Sequence, residues 1–256
     1  MFSRALPRLL SAIAAAGLLF APAAAPAADA SAGDAPTEKV LRYAFRVAET
    51  GFDPAQLSDL YSRTLIANVF DSLYEWEFLA RPVRLRPRAA AAMPEVSDDF
   101  KTFTVRVRPG IYFADDPAFK GQKRELVAAD YVYTIKRIYD PRWKSPHLST
   151  LEEQQILGLR ELREQALAGK PFNYDREIEG LRALDRYTIQ FKLAGSSPRF
   201  VQELTDPTVV AGVAREVVEF YGDKIMEHPV GTGPYKLAGW KRSSQIVLDK
   251  NPNFRD

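Results

Sequence analysis

Two eight-residue stretches constrain the fold more than anything else in the chain: KTFTVRVR (101–108) and RYTIQFKL (186–193). Each alternates apolar and polar residues without a break. In the first, Phe103, Val105 and Val107 face one way, and Thr102, Thr104, Arg106 and Arg108 the other. In the second, Tyr187, Ile189, Phe191 and Leu193 share a side. A period of two is a strand with one buried face, and Pro109 with Gly110 ends the first strand. Helical patterns lie between them. Ala128 to Tyr139 places Val132, Ile135 and Ile138 or Tyr139 on one apolar face. Ser149 to Leu167 reads as one longer helix, with Ser149 and Glu152 as a capping box and Gly169 placed to end it. Strands and helices interspersed without a regular βα repeat predict an α/β or mixed α+β fold in at least two sub-lobes.

The remaining segments are shorter. Val40 to Val47 is a strand candidate of mixed pattern. GFDPA (51–55) is a turn, because Pro54 fixes its own φ and pushes Asp53 out of the helical region. Leu65, Ile66, Val69, Phe70 and Leu73 then recur at helical spacing. Arg81 to Ala92 carries four arginines. A basic groove is one reading, but Pro82 and Pro87 and the acids that follow fit a solvated edge strand better. Short helices are expected near 198–205 and 213–221. PYKLAGW and QIVLDKN read as two strands joined around Arg242 to Ser244.

The N-terminus sets the compartment. Arg4 and Arg8 precede an apolar run, Leu9 to Phe20, and then small residues with Ala28 and Ala30 placed for A-x-A cleavage. That is the layout of a secretory signal peptide, residues 1–30, followed by a small polar leader, 31–38. The run falls short of the ~20 residues that a membrane span needs, so no membrane insertion is expected after cleavage. Cleavage removes Arg4, Arg8 and Asp29, leaving 33 basic and 32 acidic residues. So balanced a chain has no electrostatic footprint of a nucleic-acid binder. It holds no cysteine, which excludes disulfides, thiolate metal sites, a cysteine nucleophile and a lipidated N-terminus.

No catalytic constellation emerges. The two histidines, His147 and His228, lie in no HExxH motif, and no GxSxG elbow is present. The acid pairs Asp98–Asp99 and Asp115–Asp116 sit beside turns, where carboxylates commonly make local hydrogen bonds. VGTGPY (230–235) invites comparison with a phosphate loop. However, a strand-like segment follows the second glycine, so no helix N-terminus faces an anion. It reads as a tight turn with close backbone approach, leading into a strand.

Four blocks occur in an order that resembles a known family: FDPAQ with its helix, DDFKTFTVRVRPGIYFADD, AADYVYTIKRIYDP, and HPVGTGPYKLAGWKRSSQIVLDKNPNF. Together they are similar to the extracytoplasmic solute-binding proteins of family 5, the oligopeptide and dipeptide binders that feed ABC importers. One departure is Val127, where the family has a threonine helix cap. The resemblance implies a periplasmic-binding-protein-like, two-lobed architecture of which this chain is the N-terminal portion. The first lobe would comprise 39–60 and 183–256, with 61–182 an inserted accessory subdomain. It implies a monomeric periplasmic protein of Gram-negative type with no cofactor, whose partners are a peptide ligand and an inner-membrane ABC permease. Nickel, heme or an oligosaccharide as ligand, a non-functional truncated product, and a secreted hydrolase are the alternatives. By the resemblance, Ser58, Asp59, Leu60 and Tyr61 line the cleft, His147 stands where the family places a ligand-touching aromatic, and Gly231, Thr232 and Gly233 bring a strand near it. Each has a plainer reading: Asp59 as a helix cap, Leu60 and Tyr61 as an apolar helix entry, His147 as a surface turn residue, and the glycines as turn geometry.

Overall fold

In the computed structural model, which describes residues 39–255, helices and short antiparallel strands follow one another irregularly. Helix α1 (Leu60–Val69) leads into a hairpin of β1 (Tyr74–Trp76) and β2 (Leu85–Pro87). Strands β3 (Glu95–Val96) and β4 (Thr102–Arg106) follow, then helices α2 (Ala128–Tyr139), α3 (Leu148–Glu153) and α4 (Leu159–Leu167). Next come β5 (Leu181–Ala183), β6 (Thr188–Lys192), α5 (Phe200–Glu203) and α6 (Arg215–Tyr221). A hairpin of β7 (Tyr235–Lys241) and β8 (Gln245–Lys250) ends the order. Ala44–Asp256 make up one unit; residues 39–43 fall in another and carry no regular element. The expected signal peptide and leader lie outside the described residues.

The two alternating segments pair with each other. They form the centre of an antiparallel sheet of order β3-β4-β6-β5, with Phe103 opposite Phe191 and Val105 opposite Ile189. Those four side chains are at most 1% exposed. Phe200, at the start of α5, sits 4.9 Å from Phe103 and 5.1 Å from Phe191 between ring centroids, in the tilted and edge-on arrangements that ring quadrupoles favour. Helix α2 packs on β5 and β6 and buries Ile135, Ile138 and Tyr139, while Val132 is only partly covered.

Four segments differ from expectation. Val40 to Val47 forms no strand and pairs with none of the described strands. Helix α1 stops at Val69, so Leu73 packs into the core from beyond it. The edge strand within 81–92 shrinks to Leu85–Pro87, and its arginines are committed: Arg84 pairs with Glu77, Arg86 with Glu75, and Arg88 with Asp71. The basic-groove reading fails with those pairings. The long helix over 149–167 is two helices. The chain turns left-handed at Gln155 (φ 50°) and Gly158 (φ 86°), and Ile156 bridges to Leu193 at the end of β6 while Leu157 N–H donates to Lys192 O. Sheet pairing at that point outweighs helix continuity. Ser149 is therefore inside α3, whose N-cap is His147. Gly169 does end α4, as expected, with φ 91°. Val127 caps α2 without a side-chain bond; the reciprocal half survives, as Asp130 Oδ2 accepts from Val127 N–H at 2.8 Å.

One buried carboxylate ties distant segments together. Asp71 follows α1, and its side chain is 1% exposed. It accepts from Arg88 Nε at 2.7 Å, from Arg255 at 2.6 Å and from Thr232 Oγ1 at 2.8 Å. Replacing Asp71 by alanine leaves two guanidinium groups facing each other in a largely dry site, a defect of roughly 3–5 kcal/mol. Urea unfolding of Asp71→Ala should show that loss; a loss under about 1 kcal/mol would mean that water readily takes the carboxylate's place.

Candidate functional site

The FDPAQ turn is clamped from behind. Arg137 of α2 donates through both terminal nitrogens to the two Asp53 carboxylate oxygens, each at 2.9 Å, with both side chains at most 1% exposed. The guanidinium lies over the Trp143 ring, 4.2 Å from its centroid. Gln56 Nε2 adds a 2.6 Å bond to Asp53. Such a pair contributes little net stability, but it admits one geometry. The turn is therefore fixed relative to α2 and, through α2, to the sheet.

The segment after the turn is held at its ends and open in its middle. His147, 7% exposed, lies with Nε2 2.7 Å from Leu57 O. A carbonyl only accepts, so Nε2 carries a proton and donates it. Burial pushes the His147 pKa down, opposed by the bond to Leu57 and by Asp206, with Arg63 lowering it further. Asp59 has extended backbone and caps α1: Oδ1 accepts from Ser62 N–H at 2.8 Å and Oδ2 from Thr50 Oγ1 at 2.6 Å. Burial alone would raise the Asp59 carboxyl; these bonds outweigh it and hold it below its usual range. Tyr61 stacks on Phe45 with centroids 4.6 Å apart. Leu60 is 71% exposed and Ser58 is exposed. Among the described residues, the main-chain N–H groups of Ser58 and Asp59 find no acceptor.

His147 and residues 58–61 thus come together, though not as the sequence suggested. His147 is no surface turn residue: it is buried and holds the carbonyl that precedes the segment. Asp59 fills the capping role, both of its oxygens being engaged. Leu60 points outward and staples nothing.

The glycine turn meets the other end of α1. Gly231, Thr232 and Gly233 are buried. A Cβ on Gly231 would sit 2.0 Å from Val69 O, and one on Gly233 2.6 Å from Asn68 O. Only glycine allows that contact, which Gly233 N–H seals with a 2.8 Å bond to Val69 O. Ala114 N–H donates to Gly231 O, and Asn251 Nδ2 to Gly233 O at 2.9 Å. The turn's polar groups are spent on the fold. The rest of α1, Ser62 to Val69 and about 12 Å long, separates it from the Ser58–Tyr61 segment. Members of the acid pairs are used by the fold, Asp99 locally through Ser97 and Lys101 N–H and Asp116 as the cap of a 3₁₀ turn, while Asp116 also accepts from the distant Tyr221 and Asp115 from the distant Asn253. Sequence reasoning missed Arg137, because nothing local marks a helix arginine as the partner of an acid 84 residues earlier.

Comparisons with known proteins place this geometry in context. A profile of bacterial extracellular solute-binding proteins, family 5 Middle, matches residues 84–256. A periplasmic oligopeptide-binding protein, OppA of Salmonella typhimurium, is 29% identical over 241 residues, covering 93% of this chain and 41% of that protein. The glutathione-binding protein GsiB of Pectobacterium atrosepticum is 25% identical over 201 residues, covering 78% and 32%. The crystal structure of Haemophilus influenzae OppA in complex with RPPGFSPFR superposes with a TM-score of 0.64 at 25% identity, over 80% of this chain and 38% of that one. The chain spans well under half the length of the curated relatives it matches.

Two outcomes follow from the pinned segment. With its folded pKa depressed, His147 stays neutral while unfolded chains take up a proton near pH ~6.5. Its contribution is therefore complete above that pH and is lost on acidification, at up to ~1.4 kcal/mol per pH unit. Urea midpoints at pH ~7.5 and ~5.5 should fall more in the parent than in His147→Gln; equal falls would remove His147 as the cause. Separately, Gly231→Ala should lower the thermal midpoint by at least ~4 °C. A change within ~1 °C would show that the Val69 carbonyl can yield.

Proposed function

Since the chain belongs to the bacterial extracellular solute-binding proteins, family 5, we propose that it supplies one jaw of a two-lobed trap that captures di- and oligopeptides for an ABC importer. The observation that carries this reading is the Leu57–Tyr61 segment. Asp59 has extended backbone and Leu60 and Tyr61 open α1, the Ser58 and Asp59 N–H groups are unclaimed among the described residues, and the segment is clamped by His147 and Asp59. An extended peptide laid along it gains main-chain hydrogen bonds common to all peptides, which gives tolerance of sequence; the exposed Leu60 side chain offers apolar contact. Preorganisation matters because the segment loses no further freedom when a ligand arrives. Closure of a facing jaw then excludes water and strengthens those bonds.

In this reading residues 39–60 and 183–256 belong to the first lobe and 61–182 to an accessory subdomain. The β4–β6 ladder would join the two along one sheet. Residues Gly231, Thr232 and Gly233 act on ligand only through α1. The protein is periplasmic and monomeric, it binds rather than converts its ligand, and an inner-membrane permease receives the cargo. The basic, apolar and small-residue order of 1–30 supports export, and among the described residues no helix is long and apolar enough to cross a membrane.

Amide NMR with a mixed di- to pentapeptide set at ~1 mM, a concentration suited to weak single-jaw binding, tests the segment. Ser58 to Tyr61 should shift, and Ser58→Pro, which deletes one N–H, should abolish the effect. Shifts elsewhere, or none, would defeat the assignment. Calorimetric affinity of ~1 μM in this chain alone would contradict the need for two jaws.

A further inference from the structure

The hairpin of β1 and β2 is a two-stranded sheet of its own, and it ends in apolar side chains that the fold leaves in water. Phe78 is 87% exposed, Leu79 82%, Val83 63% and Trp76, at the end of β1, 47%. Single exposed apolar residues are ordinary, but a cluster of them on one turn calls for a partner. We propose that this tip is a membrane-contact site, which dips into the headgroup layer of an anionic phospholipid bilayer without spanning it. Such contact needs no long apolar helix, and among the described residues there is none.

Three features of the hairpin fix the chemistry of its partner. Phe78 and Leu79 stand clear of the rest of the chain, so they enter a partner rather than receive one. Arginines surround them. Arg84 pairs with Glu77 and Arg86 with Glu75, yet their side chains stay 69% and 58% exposed, and Arg81 has no carboxylate partner among the described residues. Residues 74–87 hold three arginines, Arg81, Arg84 and Arg86, against Glu75 and Glu77. The excess positive charge and the free guanidinium N–H groups suit lipid phosphates, while the apolar side chains reach acyl carbon. Trp76, opposite Leu85 at the foot of the turn, has an indole N–H with no acceptor among the described residues. A large ring with one free donor suits the boundary between headgroups and acyl chains. The turn also covers much of its own main-chain polarity, as an apolar surrounding demands. Glu77 N–H donates to Arg84 O at 3.0 Å and Ala80 N–H to Glu77 O at 3.1 Å. Arg81 Nη1 donates to Ala80 O at 2.8 Å and to Phe78 O at 3.4 Å, and Pro82 has no N–H to satisfy. The stem is anchored, since Tyr74 is buried and its N–H donates to Leu204 O.

The contact does not depend on peptide capture by the Leu57–Tyr61 segment, which shares none of these residues. Co-sedimentation of the processed chain, residues 31–256, with protein-free vesicles tests it; removing 1–30 keeps the apolar run Leu9–Phe20 from binding lipid itself. Half of the protein should bind at roughly 1 mM accessible lipid when phosphatidylglycerol is present, and binding to pure phosphatidylcholine should be at least ~3-fold weaker. Phe78→Ser combined with Leu79→Ser should weaken binding at least ~10-fold, and Arg81→Gln ~3–10-fold. Phe220→Ser, which removes an exposed aromatic from α6 instead, should bind as the parent does. Brominated lipid should quench tryptophan emission in the parent but not in Trp76→Phe, because Trp143 is buried and Trp240 partly covered. No sedimentation with ~5 mM anionic lipid, parental binding by the Phe78–Leu79 double variant or by Arg81→Gln, or an equal loss in Phe220→Ser would each overturn the proposal. Binding only to vesicles that carry a membrane protein would also overturn it, by making the partner a protein. The quenching comparison decides even if a tip variant fails to fold: emission in the parent that brominated lipid leaves unchanged, or quenching that persists in Trp76→Phe, sinks the assignment.

Discussion

Asp71 holds this structure in register. Its carboxylate gathers Arg88 from the end of the first hairpin, Arg255 from beyond the last, and Thr232 from the glycine turn. Its main-chain carbonyl accepts from Gly212 N–H and the Tyr131 hydroxyl. Burying a charge is costly, and the partners' attraction returns little surplus over an apolar core. What the arrangement supplies is uniqueness: three donors converge on one carboxylate in only one mutual placement of four chain segments. The motifs around VGTGPY and NPNF close on each other for the same reason, with Asn251 on Gly233 O and Asn253 on Phe113 O.

That placement turns α1 into a strut. At its C-terminal end the two glycines let main chain touch main chain. At its N-terminal end Asp59 caps it and His147 holds the preceding carbonyl. Rigidity at one end is passed to the other along a helix too short to bend appreciably. The Arg137–Asp53 pair does the same for the turn before the segment, linking it to α2. The open N–H groups of Ser58 and Asp59 are thus presented by a scaffold held by the Asp59 cap, the His147 bond to Leu57 and the Arg137–Asp53 pair.

Much of the fold was legible because its signals are local. The period of two in 101–108 and 186–193 produced β4 and β6, and the spacing in 128–139 produced α2 with the expected bounds. The final hairpin and the identity of VGTGPY as a turn followed from strand pattern and glycine placement. The site was half legible. Residues 58–61 and His147 were named and do come together, but His147 acts from the interior and Asp59 as a cap. The failures share a cause. The 149–167 stretch has helical periodicity throughout, yet Ile156 leaves the helix to join the sheet. Val40 to Val47 has strand-like residues and forms no strand. Both outcomes depend on what stands next to the segment, which no window of sequence contains.

The sequence by itself determined which segments could bury a face, where turns had to fall and which chemistries were impossible, since periodicity, proline, glycine and the lack of cysteine act through the residues themselves. Only the tertiary structure decided which acid meets which base, which histidine is buried, where a helix gives way to a strand edge and which backbone donors stay free. Those outcomes are set by pairing across the fold, where the cost of an unsatisfied buried group exceeds any local preference.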